Sequence, residues 1–312
     1  MKTTEDPPPA ISVTLERIET DDRIVLNGAL ADARSRRIGV LFVHGLGSNI
    51  FKTQHLWGAV ATLGQRRGIG VLALQTRGHD IAANYRIEAK RTQRLRTKYR
   101  IGGAGFEDFR ESILDISAGI RHLKRLGYEH IVLLGHSTGA NKIAHYIAKK
   151  NDRRVRGLIL ASPGRDITNE IIHSGSETRH NRRLKKIRAY IQKHGRHAAL
   201  PAQIVGSSLI SGQRFLSLYR AGSLEDIFPY GEPKASWAQF AKIKKPILIL
   251  FGEEDHYLGD YTPEQIIGLM NAKARGAQSV TADILPKQMH SFREDPNAFA
   301  QSLMRWLKET IS

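Results

Sequence analysis

Five short runs along the chain are almost unbroken in apolar residues. They are IGVLFVHG at 38–45, GIGVLALQTRG at 68–78, HIVLLGH at 130–136, VRGLILASPG at 155–164 and PILILFGEED at 246–255. Runs of this length suit strands buried on both faces, as in a parallel sheet. Ahead of them, ISVTLERI and RIVLNGAL flank the polar stretch Glu19–Asp22 and predict an antiparallel hairpin at one sheet edge. Helical periodicity lies between the runs. In DFRESILDISAGIRHLKRL, the residues Ile113, Ile116, Ile120 and Leu123 line one face. Near the C-terminus Asp295 suits a helix cap, Pro296 suits the first turn, and Phe299, Leu303, Trp306 and Leu307 form an apolar stripe. Strands alternating with helices predict the α/β class, a mostly parallel central sheet flanked by helices with right-handed crossovers.

Residues 165–235 break the alternation. They hold no clear core strand, and within them Leu184, Ile187 and Ile191 share a helical face. The expected organisation is a loose tail at 1–10, because of Pro7–Pro9, and a core formed by 11–164 and 236–312. A mainly helical cap inserted at 165–235 would then lie over the strand ends. No internal repeat or low-complexity tract is visible.

Composition changes this picture in three ways. A chain of 312 residues, 41% hydrophobic, is long enough for one large core with an inserted cap. The absence of cysteine excludes disulfides, thiolate metal sites and a cysteine nucleophile. The net charge of +18 is concentrated in RIEAKRTQRLRTKYR at 86–100 and RHNRRLKKIRAYIQKHGRH at 179–197. Neither run belongs to a recognised nucleic-acid module or carries stacking aromatics, so a solvated or substrate-facing surface is expected rather than a specific nucleic-acid partner. The N-terminal residues lack an apolar h-region and no apolar run is long enough to span a bilayer, so a cytoplasmic location without a membrane span is expected. No HExxH, GxGxxG or GxxxxGK[ST] pattern occurs, so neither metal nor cofactor is expected.

The chemistry follows the strands, because ligands of open α/β sheets bind beyond the strands' carboxyl ends. After 130–134 comes Gly135-His136-Ser137-Thr138-Gly139, a G-x-S-x-G pattern between a strand and the helical AHYIAKK. Small neighbours let such a corner close, and the serine hydroxyl is then exposed at a helix N-terminus. After 38–43 comes His44-Gly45-Leu46-Gly47, where glycines permit close backbone approach. The amides of Leu46 and Thr138 are the expected oxyanion hole. After 246–251 comes Gly252-Glu253-Glu254-Asp255. Asp255 is the expected orienting acid, with Glu253 and Glu254 as fallbacks. After SVTADILP comes Gln288-Met289-His290-Ser291-Phe292, which makes His290 the expected base, with His256 as competitor. His44, Gly45, His136, Arg77 and His79 are further candidate substrate contacts.

The order Ser137, Asp255, His290 is that of the catalytic triad in the α/β-hydrolase superfamily, which the chain resembles from about residue 11 onward. A narrower likeness lies in ISGQRFLSLYRAGSLEDIFPYG, PILILFGEEDHYL and GHSTGANKIAHY. These look like a fungal and plant hydrolase group whose known activities include hydrolysis of siderophore esters. That group tends to carry paired acids before the phenylalanine and Ser-Ser-Asp after it, whereas this chain reads Glu225-Asp226-Ile227-Phe228-Pro229-Tyr230. The resemblance therefore carries over the fold and the triad, not the substrate.

The implied function is a serine hydrolase cleaving a small-molecule carboxylic ester or lactone through an acyl-enzyme. C–C bond hydrolysis, acyl transfer on the same triad and a receptor-like binding protein are the alternatives. Basic side chains facing the cleft would favour anionic or phenolic substrates, and outward-facing ones would leave the substrate open. Oligomeric state is not encoded in any pattern found.

Overall fold

The computed structural model describes residues 11–88, 98–232 and 234–311. The expected loose tail at 1–10 and most of the basic run 86–100 lie outside the described residues. In chain order the strands are β1 (Thr14–Glu19), β2 (Val25–Ala31), β3 (Ile38–Val43), β4 (Ile69–Gln75), β5 (Ala83–Ile87), β6 (Lys98–Gly102), β7 (His130–His136), β8 (Val155–Ala161), β9 (Ile247–Gly252) and β10 (Val280–Leu285). The helices are α1 (Gln54–Gly64), α2 (Ser112–Arg125), α3 (Thr138–Lys150), α4 (Asp166–Ser174), α5 (Glu177–His194), α6 (Ala202–Val205), α7 (Gly212–Tyr219), α8 (Pro263–Lys273) and α9 (Pro296–Thr310).

Eight strands form one sheet in the order β1-β2-β4-β3-β7-β8-β9-β10. Only β2 runs against the rest, pairing antiparallel with both β1 and β4. The five apolar runs are its central strands. Alternation within them explains their composition: Leu41 and Val43 of β3 face one core, Val40 and Phe42 the other. The first core is closed by α2, α3 and α8 through Ile116, Ile120, Ile143 and Ile266. The second is closed by α1 and α9 through Trp57, Val60, Phe299 and Trp306. Each large apolar side chain so buried contributes about 1.5–3 kcal/mol. At the start of α9, the Asp295 side chain accepts from the amides of Asn297 and Ala298, and Pro296 occupies the first turn.

Four helices, α4 to α7, lie between β8 and β9. They have a small core of their own, made by Leu184, Ile187, Leu200, Ile210, Phe215 and Leu218, and Leu46 packs against it. One element differs from the sequence expectation. β5 and β6 form a separate antiparallel pair, although residues 86–100 read only as a basic segment. Tyr85 is the one buried residue of β5, so the hairpin lacks the apolar alternation that would announce it.

Candidate active site

β7 ends at His136 and α3 begins at Thr138, so Ser137 alone makes the corner. Its φ of 54° and ψ of −127° are strained for an L-residue. The flanking glycines are required by crowding. A Cβ on Gly139 would lie 2.1 Å from the Val43 carbonyl oxygen, and one on Gly135 would lie 2.4 Å from that of Gly139. The corner is pinned by the Ser137 amide, which donates to the Ala161 carbonyl at 2.9 Å. The hydroxyl therefore sits at the N-terminus of α3, where the helix dipole favours developing negative charge.

The loop after β3 runs beside this corner. A Cβ on Gly45 would be 2.9 Å from Ser137 Cβ and 3.5 Å from its Oγ. Among the described residues, neither the Leu46 nor the Thr138 amide donates a hydrogen bond. Two unpartnered amides next to a half-buried hydroxyl can receive an oxyanion. His44 holds this loop from beneath. It is fully buried, its Nδ1–H donates to the Gly45 carbonyl at 2.9 Å, and its Nε2 accepts from the Thr76 amide at 3.2 Å. Burial, reinforced by the charge of Lys142, pushes its pKa down to about 4, so the ring is neutral near pH 7.

Asp255 follows β9 and caps a short turn by accepting from the Tyr257 amide at 3.0 Å. Both its carboxylate oxygens lie 3.0 Å from His290 Nδ1. Burial pushes this carboxyl up, but the hydrogen bond and charge of His290, with the Tyr257 amide, outweigh it. The net effect holds Asp255 below its ordinary value. The carboxylate fixes Nδ1 as the protonated nitrogen and leaves Nε2 as the free base. Tyr257 lies over the imidazole with ring centroids 4.4 Å apart. No hydrogen bond joins Ser137 Oγ to His290 among the described residues, whose imidazole bonds only Asp255.

The remaining sequence candidates fall elsewhere. His136 does not face a substrate: it is buried, and its Nε2–H donates to the His290 carbonyl at 2.8 Å. Burial, then the charge of His290, pushes its pKa down to about 3. Arg77 is likewise engaged elsewhere. Its buried guanidinium is paired with Asp22, Glu111 and Asp115, so it has no free face for a ligand. His79 Nδ1 lies 2.8 Å from the Asp80 carboxylate. Glu253 accepts from the Lys287 amide on the surface, and His256 stacks on Tyr257 without bonding the acid. The structure thus brings Asp255, not its neighbours, to His290.

Several residues around the site escaped sequence reading. Lys142 of α3 is fully buried and pairs with Glu107 at 2.8 Å. Arg214 of α7 is fully buried and pairs with Glu107 at 2.9 Å and with Glu225. Two cations and two anions thereby join α3 to α7. Asp166, the first residue of α4, is half-buried, and burial together with the charge of Glu225 pushes its pKa up to about 6. These partners are far apart in sequence, and only the lone lysine in GANKIAHY hinted that a buried counter-charge was needed. The basic residues Arg179, Arg182, Lys185, Lys186 and Lys193 of α5 are exposed. The described residues contain no group of three or more His, Cys, Asp or Glu arranged to hold a metal ion.

A family model described as protein of unknown function (DUF1749) matches residues 93–311. No curated protein sequence matches the chain. Solved structures do. An esterase of Pyrococcus furiosus superposes with a TM-score of 0.60 at 18% identity, over 97% of this chain and 92% of that one. A siderophore hydrolase of Aspergillus fumigatus gives 0.64 at 16% identity, over 98% of each chain. A carboxylesterase of Bacillus subtilis gives 0.55 at 15% identity, over 95% of this chain and 92% of that one. At these identities the likeness is one of fold, and the fold is that of the α/β-hydrolases.

Proposed function

Because the chain belongs to the family described as protein of unknown function DUF1749 and has the α/β-hydrolase fold, we propose that it is an ester hydrolase whose triad is Ser137, His290 and Asp255. The observation that carries this reading is the paired bond from Asp255 to His290, on a loop whose carbonyl is held by the residue preceding the strained serine. Nothing in that arrangement serves a plain turn. A buried carboxylate aimed at Nδ1 makes Nε2 a stronger base and stabilises the imidazolium once it forms.

In this mechanism an ester carbonyl seats between Ser137 and the free amides of Leu46 and Thr138. Nε2 of His290 removes the hydroxyl proton as Oγ attacks the carbonyl carbon, and the two amides stabilise the oxyanion. The imidazolium then protonates the departing alkoxide, leaving an acyl-serine. Water attacks that acyl group with His290 again as base, and the acid product leaves. The serine–histidine hydrogen bond, not made in this structure, forms when substrate excludes water from the corner.

The substrate class that fits is a small-molecule carboxylic ester, and a lactone is an internal ester that opens by the same steps. The esterase and hydrolase structures of the same fold support this class. Segment 165–235 acts as the cap in this reading, with Leu46 packing against its inner face. The test is turnover of a short-chain p-nitrophenyl ester by the wild type and by His290→Ala. A loss of about 10³-fold or more in kcat is expected for a missing triad base. Equal turnover by the two proteins would remove the proposal.

A further inference from the structure

Between residues 178 and 224 the chain carries ten lysines and arginines and not one aspartate or glutamate. Most of these cations lie on α5. Its inner face is fixed by Leu184 and Ile187, which are buried in the small helical core. Arg179, Arg182, Lys186 and Lys193 recur at intervals of three, four and seven residues, which puts them on one row of the opposite face. Lys185 flanks that row. All five are exposed, and none of them is in an ion pair among the described residues. The nearby Arg183 and Arg196, by contrast, are paired with Glu170 and Asp108. Arg183 and Arg196 are thus compensated by acids, whereas the outer row of α5 has no acid paired to it among the described residues.

From this uncompensated row we propose that the outer face of α5 is a docking surface for the anionic headgroups of a phospholipid bilayer. A straight row of cations on a convex helix fits a flat field of negative charge. Each lysine or arginine held near such a surface multiplies binding several-fold. The same helical segment also exposes two apolar side chains, Ile172 on α4 at 61% and Leu209 in the loop before α7 at 49%. A single nucleic-acid strand would also be held on aromatic platforms. The single aromatic residue of α5, Tyr190, is stacked on His194 with its hydroxyl bound to the Ala199 carbonyl. No described helix is long and apolar enough to cross a membrane, so the contact is peripheral. Docking would place the helical segment that packs on Leu46 against the bilayer. The proposal does not depend on the ester-hydrolase reading.

The experiment is co-sedimentation of the full chain with phosphatidylcholine vesicles and with vesicles of phosphatidylcholine and phosphatidylserine, at physiological salt. Duplex DNA binding is measured at the same salt. A variant carrying Arg182→Gln, Lys185→Gln, Lys186→Gln and Lys193→Gln is compared, with thermal melting as the control for folding. The expected result is binding to the phosphatidylserine vesicles alone, reduced at least tenfold in a variant that melts like the wild type. Three results would overturn the proposal. One is no binding that depends on phosphatidylserine, and another is equal binding by the variant. The third is DNA binding that survives this salt when vesicle binding does not, which would give the row to nucleic acid.

Discussion

Ser137 holds a backbone conformation that glycine would hold at no steric cost. Strain of this kind is worth of order 1–3 kcal/mol, against which glycine carries extra unfolded-state entropy of under about 1 kcal/mol. Ser137→Gly is therefore predicted to raise stability by about 1 kcal/mol in urea unfolding while abolishing ester turnover. A variant less stable than the wild type would show that the corner is not strained. The corner at Ser137 was legible in the sequence, because glycines and a serine at a strand end leave few other arrangements. Asp255 stood out because it follows an apolar run and His290 because it lies between SVTADILP and the last helix, but that the two side chains meet is a product of the fold. His44, His136 and Arg77 were misread for a common reason. Each stands at a strand end, as a ligand contact would, but whether a side chain points to the cleft or beneath the loop depends on partners such as Thr76, Asp115 and the His290 carbonyl. Those partners are brought in only by the fold.

At the scale of elements, the ion cluster of Lys142, Glu107, Arg214 and Glu225 joins α3 and α7 to the loops that precede α2 and follow α7. It is neutral only as a set. Arg214→Leu leaves two buried carboxylates facing one lysine, and is predicted to destabilise the fold by about 3–5 kcal/mol. Chemical denaturation measures it directly, and a loss under about 1 kcal/mol would mean that water already compensates these charges. The central strands and the long helices were readable because burial on two faces, or on one helical stripe, repeats within a few residues. The β5–β6 pair was not. Its register sets Tyr85 against Arg100 and Arg86 against Tyr99, a mostly solvent-facing pattern that resembles a charged loop.

For the whole molecule, buried titratable groups set the dependence of stability on pH. His44 and His136 have pKa values of about 4 and about 3, against 6.5 for a free imidazole. As pH falls below 6.5 the unfolded chain takes up protons that the folded protein does not, so these two groups lower stability progressively down to about pH 3. Each is worth roughly 3 kcal/mol or more at full acidification. Asp166 acts in the opposite sense. Its folded pKa of about 6, against 3.8, makes stability fall as pH rises through that interval. Two histidines outweigh one aspartate, so the melting temperature is predicted to drop on going from about pH 7 to about pH 4.5. A flat profile over that range would mean that the two rings are not held neutral in the folded protein.

The central claim is that Ser137 is an activated nucleophile, and active-site labelling with a fluorophosphonate tests it most directly. The wild type is predicted to take up one phosphonyl group per chain and lose ester turnover in step, while Ser137→Ala, folded to the same melting temperature, takes up none. Equal labelling of the two proteins, or no labelling of a folded wild type that still turns over ester, would contradict the account.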